Sequence, residues 1–85
     1  MRHFKDPDFQ PLYDALPRHV QRLADKSFTL LKRDPKHPSL HFKRIRDDLW
    51  SARVGLRYRA LAIEGDDGFQ WFWIGSHTDY DAMIR

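Results

Sequence analysis

"LWSARVGLRYRALAIEGDDGFQWFWIG", residues 49–75, decides the fold. In its first run Trp50, Ala52 and Val54 alternate with Ser51 and Arg53, the two-residue period of a strand with one buried face. Its second run, "LRYRALAI", sets Arg57 and Arg59 on the same face as Leu61 and Ile63. The third, "FQWFWIG", is apolar on both faces, which suits a central strand covered on both sides, or at one end by a partner. Phe69, Trp71 and Trp73 alternate onto one face there and read as core rather than as a nucleic-acid platform. "GDDG", residues 65–68, has the chemistry of a hairpin turn between the last two strands.

Upstream, "LHFKRIR" reads as a further strand, with Leu40, Phe42 and Arg44 opposed to His41, Lys43 and Ile45, although adjacent charges blur the period. All five prolines lie at or before Pro38 and all four glycines at or after Gly55, and the proline-bearing half reads as helices. In "DPDFQPLYDALP" Asp6 or Asp8 is placed to cap, and Phe9, Leu12, Tyr13 and Leu16 mark one helical face. Pro17 restarts the chain as a first helical residue; Val20, Leu23, Ala24, Phe28 and Leu31 then follow helical spacing to a stop near Asp34, before Pro35. The expected fold is α+β: an N-terminal antiparallel helical hairpin packed on one face of a twisted antiparallel sheet. With 85 residues, a single domain over 1–85 is expected.

The chain has no cysteine, so packing must supply its stability. No apolar run is long enough for a membrane span and the start lacks a signal-peptide pattern, so a cytoplasmic protein is expected. The net charge of +3 is unevenly spread. Residues 1–42 hold eight Lys/Arg against five Asp/Glu, residues 43–59 six against two, and residues 60–85 one against five. A basic centre of this kind fits phosphates or an acidic partner segment; a solvated sheet face would look similar.

If the face bearing Arg53, Arg57 and Arg59 is free of the helices, guanidiniums on adjacent strands form a phosphate clamp, since the planar fork donates two parallel hydrogen bonds and stays charged. His77, at the end of the last strand, adds a group that titrates near neutrality. Together these meet the needs of RNA cleavage by internal transfer: a base for the 2′-hydroxyl, cations for the phosphorane and an acid for the leaving 5′-oxygen. His77 is then acid or base, Arg53 and Arg59 clamp, and Tyr80 stacks on a base or donates a hydrogen bond. Each has a plainer reading: His77 as a structural hydrogen-bonder, Arg59 paired with Glu64 or Asp66, and Tyr80 in a short terminal helix capped by Ser76 or Thr78. The five histidines show no metal-ligand spacing, and neither metal nor cofactor is expected.

The order "LP…VQRLADKSFTLLKRDPKHPSLHFKRI…LWSARVGLRYRAL…WFWIGSHTDYD" resembles the RelE/ParE superfamily of bacterial type II toxins, especially its RelE-like branch, over roughly Leu16 to Asp81. The most specific parts are "WSARVGLRYRAL" and "WIGSHTDYD". The resemblance implies a microbial RNase-like fold with a concave basic surface, metal-independent cleavage of messenger RNA in the ribosome, and neutralisation by a cognate antitoxin. Residue by residue, it implies Arg53, Arg59 and His77 as catalytic groups, with Tyr80 a looser match. Some members carry a lysine where this chain has Ser51, so a cation is missing there unless Lys43, Arg44 or Arg46 substitutes from the neighbouring strand; these three, with Arg57 from the arginine face, are the expected RNA contacts. The family's first strand is longer than "MRHFK" allows, so that strand is expected to be short or absent. ParE-type relatives instead poison DNA gyrase and carry an extended helical hairpin, and a relic that only binds its antitoxin is a third possibility.

Overall fold

The alternation read in residues 49–75 is realised as an antiparallel meander in the computed structural model, which describes residues 2–85. In chain order the elements are β1 (Arg2–Lys5), α1 (Phe9–Asp14), α2 (Arg18–Arg33), a 3-10 turn (Pro38–Leu40), β2 (Lys43–Arg46), β3 (Leu49–Val54), β4 (Tyr58–Gly65), β5 (Gly68–Ser76) and α3 (His77–Ile84). One five-stranded sheet has the order β1-β5-β4-β3-β2.

Helices α1 and α2 cover one face of this sheet. Ala52, Val54, Ala60, Ala62, Phe69, Trp71 and Ile74 meet Phe9, Ala24, Leu31 and Leu40 in a single cluster. The alanines at the contact keep the layers close, and burying each larger side chain contributes roughly 1.5–3 kcal/mol. In α2 the buried Val20, Ala24 and Leu31 keep helical spacing, but Leu23 is 40% exposed at the rim, where its side chain meets Gly55. The hairpin is short, since α1 has six residues. It is fastened to α2 by the Tyr13 hydroxyl, which donates to Asp25 Oδ1 at 2.7 Å, and by Gln21, which donates to the Tyr13 carbonyl at 3.0 Å. Pro17 takes the N-cap position of α2 rather than its first helical residue, and Asp34 ends the helix. Asp8 occupies the N-cap of α1 without a side-chain bond, while Asp6 Oδ1 accepts from the Asp8 amide at 2.9 Å.

Three features depart from the sequence reading. The first strand is short, at four residues, as expected, but it runs parallel to β5, so the sheet is mixed rather than wholly antiparallel. Gly68 permits this: its φ is +149°, and a Cβ there would lie 2.1 Å from the Arg2 carbonyl oxygen. Leu40 belongs not to a strand but to the 3-10 turn, where it is buried, and β2 begins three residues later. A bulge in β5 also breaks the alternation of the tryptophans. Leu61 pairs with Trp73 and Ala62 with Trp71, leaving Phe72 as the extra residue and turning Trp73 away from the helix-covered face.

Candidate functional site

The second sheet face carries the arginines. Arg53 and Arg59 are direct cross-strand partners on β3 and β4, and Arg59 pairs in turn with Gly75 on β5. The odd-numbered positions of both strands point away from the core formed by Ala52, Val54, Ala60 and Ala62. One row further along, Lys43 pairs with Ser51 and Ser51 with Leu61, so Lys43 stands beside the position where a cation was missing. A bulge at Ile45 then brings Arg46 opposite Leu49, again on this face. Arg46 spends one amino group on the Ile84 carbonyl at 3.1 Å, which satisfies the C-terminal end of α3. Arg44 pairs with Trp50 and so lies on the opposite side of the strand, apart from Lys43, Arg46 and the arginine pair.

Neither arginine has a carboxylate within ion-pair distance among the described residues, where His77 with Asp81 is the only such contact. Glu64 is engaged elsewhere, accepting from Trp50 Nε1 at 2.9 Å, and it pairs with Phe69 on the core side. Arg53 Nε is buried with no hydrogen-bond partner, an unusual state for a guanidinium. The Arg59 guanidinium donates to the Tyr58 carbonyl at 3.0 Å and lies 5.9 Å from the centre of the Tyr80 ring. Burial, and then the positive charge of Arg53, lower its pKa below the usual guanidinium value. Two like charges held side by side cost stability unless an anion arrives between them.

Helix α3 brings the remaining groups. Ser76 is its N-cap, accepting from the Asp79 amide at 3.1 Å, and His77 is its first residue. The His77 amide donates to the Arg57 carbonyl at 2.7 Å, which ties the helix start to the β3–β4 turn. The imidazole is half exposed, with Nδ1 3.3 Å from Asp81 Oδ2 and its ring centre 6.2 Å from that of Tyr80. Arg57, Arg59, Ser76, His77 and Thr78 line one open groove with Leu56 and Tyr58.

Arg53, Arg59, Tyr80 and His77 thus come together, with Lys43 and Arg57 at the edges. Tyr80, however, is 6% exposed, and its hydroxyl donates to the buried Ser51 Oγ at 3.3 Å. A nucleobase has no ring face to stack on there. Sequence reading missed Asp81, although the four-residue spacing from His77 on a helix would have signalled it. It also missed the Tyr80–Ser51 bond, which joins residues 29 positions apart and has no local signature. Among the described residues no three His, Asp or Glu side chains are grouped as metal ligands, and no helix is long and apolar enough to cross a membrane.

The family model for the ParE-like toxin domain matches residues 18–82. No curated protein matches the chain. Solved structures do. The RelB–RelE antitoxin–toxin complex from Methanococcus jannaschii contains a chain with a TM-score of 0.74 at 13% identity, covering 96% of this chain and 99% of its own. In the RelBE2 toxin–antitoxin complex from Mycobacterium tuberculosis the values are 0.67 and 20%, with 88% and 95% covered. A copper-bound mutant toxin from Helicobacter pylori gives 0.63 and 17%, with 93% and 97% covered. At these identities the likeness concerns the fold.

Proposed function

The chain belongs to the ParE-like toxin domain family, the toxin side of toxin–antitoxin systems, and from that premise we propose that it is a metal-independent endoribonuclease that cleaves messenger RNA on the ribosome. The observation that carries this reading is the unneutralised pair Arg53 and Arg59, set beside a half-exposed His77. A cognate antitoxin is the expected partner, as in the two complexes with the same fold.

In the proposed reaction the 2′-oxygen attacks the adjacent phosphorus. The bond to the 5′-oxygen breaks and that oxygen takes up a proton from solvent in the open groove, leaving a 2′,3′-cyclic phosphate and a free 5′-hydroxyl. Arg53 and Arg59 hold the non-bridging oxygens, whose negative charge grows in the transition state, and Lys43 adds a cation from the neighbouring strand. In this reaction His77 carries its proton on Nδ1, 3.3 Å from Asp81 Oδ2, and presents Nε2 as an acceptor for the 2′-hydroxyl proton. Tyr80 acts from beneath, as a positioning residue that seats α3 and the Arg59 guanidinium.

Primer extension on a defined message in purified translating ribosomes tests this reading, with the wild type beside His77→Ala and Arg59→Ala. Discrete cuts that vanish in the variants support it; a folded wild type that makes no cut overturns it. The ParE-like family match also suits a toxin that binds DNA gyrase, and a supercoiling assay separates that reading. Ser51, packed under Tyr80 where some relatives carry a cation, suits a relic that binds antitoxin without chemistry. Its signature would be tight partner binding with no toxicity.

A further inference from the structure

Leu56 is 83% exposed, while no other large apolar side chain among the described residues exceeds 46%. Its position is not an accident of a loose loop. The turn Gly55–Arg57 is held on one side by the His77 amide, bonded to the Arg57 carbonyl at 2.7 Å. On the other side Gly55, at φ +62°, is backed by the Leu23 side chain, which an added Cβ would approach to 3.0 Å. The turn therefore presents a rigid, solvated isobutyl group at the mouth of the groove lined by Arg57, Arg59, His77 and Thr78.

We propose that Leu56 is a positioning residue that wedges against the nucleobase flanking the scissile phosphate and holds it out of the stack. This inference rests on the endoribonuclease reading above and names the form of its substrate: single-stranded RNA with one base splayed. Attack by the 2′-oxygen requires alignment with the departing 5′-oxygen, which a stacked strand does not offer, so splaying the base promotes the reactive geometry. A short apolar side chain among cations is suited to splaying, because the guanidiniums take the phosphates on either side while the alkyl group takes the base face. A protein partner is the weaker occupant, because the groove sets Leu56 and Tyr58 beside Arg57, Arg59 and His77, and paired guanidiniums next to an apolar side chain match the alternating phosphates and bases of a nucleic-acid strand.

The test uses a single-stranded oligoribonucleotide carrying 2-aminopurine, with 2′-O-methyl groups to block cleavage, titrated with the full chain. Wild type should bind and raise the fluorescence as the probe base unstacks. Leu56→Ser should bind about tenfold more weakly and lose the rise, with an unchanged urea midpoint, and Leu56→Met should restore both. Equal binding and an equal rise for wild type and Leu56→Ser overturn the wedge while leaving the RNA reading intact. A wild type that does not bind the oligonucleotide overturns the wedge, and the primer-extension assay on ribosomes then decides separately whether the nuclease reading stands.

Discussion

Arg53 and Arg59 face each other across β3 and β4 with no carboxylate between them, and the Nε of Arg53 is buried without an acceptor. Such a pair weakens the fold, and in the proposed reaction it is what holds the phosphate. Arg53→Met should therefore raise stability by about 0.5–1 kcal/mol in urea unfolding, since it removes a like-charge pair and an unsatisfied donor. The same variant should lower ribosomal message cleavage by about 10²-fold or more. A loss of stability would show that the pair is structural.

Tyr80→Phe separates seating from chemistry. The ring stays under Arg59 but the bond to Ser51 is lost, leaving a buried hydroxyl unpaired. The expected result is a stability loss of about 1 kcal/mol with cleavage reduced less than about tenfold. Full stability with cleavage abolished would instead make the Tyr80 hydroxyl a reacting group.

His77→Ala should cost about 10²–10⁴ in cleavage rate and change stability by less than about 0.5 kcal/mol, because the side chain is half exposed. Asp81→Asn should have the smaller effect of disturbing the imidazole's orientation. Single-turnover cleavage and thermal melts on both proteins check this ordering, and an Asp81→Asn defect equal to that of His77→Ala would give the carboxylate a direct part.

A pH effect on stability should come from the opposite end of the sheet. His3 Nδ1 accepts from Trp71 Nε1 at 3.1 Å, and its ring stacks on Phe69 at 5.3 Å. Burial first, and then nearby positive charge including Lys32, push its pKa below 6.5. The unfolded chain thus takes up this proton at a higher pH than the native one. Stability from His3 is complete above about pH 6.5 and declines as pH falls below it, by at most roughly 1.4 kcal/mol per pH unit, flattening once the native imidazole also protonates. His3→Gln should remove that part of the slope in urea unfolding followed from pH 7.5 to 5. An identical slope in the variant would assign it to other groups.

What the sequence disclosed and what it hid follow from the range of each interaction. The alternation around Ala52 and Ala60, the turn at residues 65–68 and the Ser76 cap depend on neighbours a few positions away, and all were readable. The facing of Trp73 was not, because one extra residue at Phe72 reverses parity without changing composition. The alternation did place Arg44 with Phe42 and opposite Lys43, as the pairing with Trp50 has it, but the bulge that returns Arg46 to the face of Lys43 left no trace in the pattern. The direct opposition of Arg53 and Arg59 depends on the length of the turn at Gly55–Arg57, and Tyr80 was legible as a neighbour of His77 but not as a buried one.

The parallel pairing of β1 with β5 also fixes an order of events. The β3–β4–β5 meander closes through short connections, whereas β1 must cross from residue 2 to residue 68 before its first pair can form. Loop-closure entropy makes that docking late in folding, and by the same token the first to reverse. Native-state hydrogen exchange should then find the β1 amides opening ahead of those of β3 and β4. Opening of this kind would strip one edge from β5 while leaving the arginine pair standing, so that the folding chain sets Arg53 against Arg59 before it has finished its sheet.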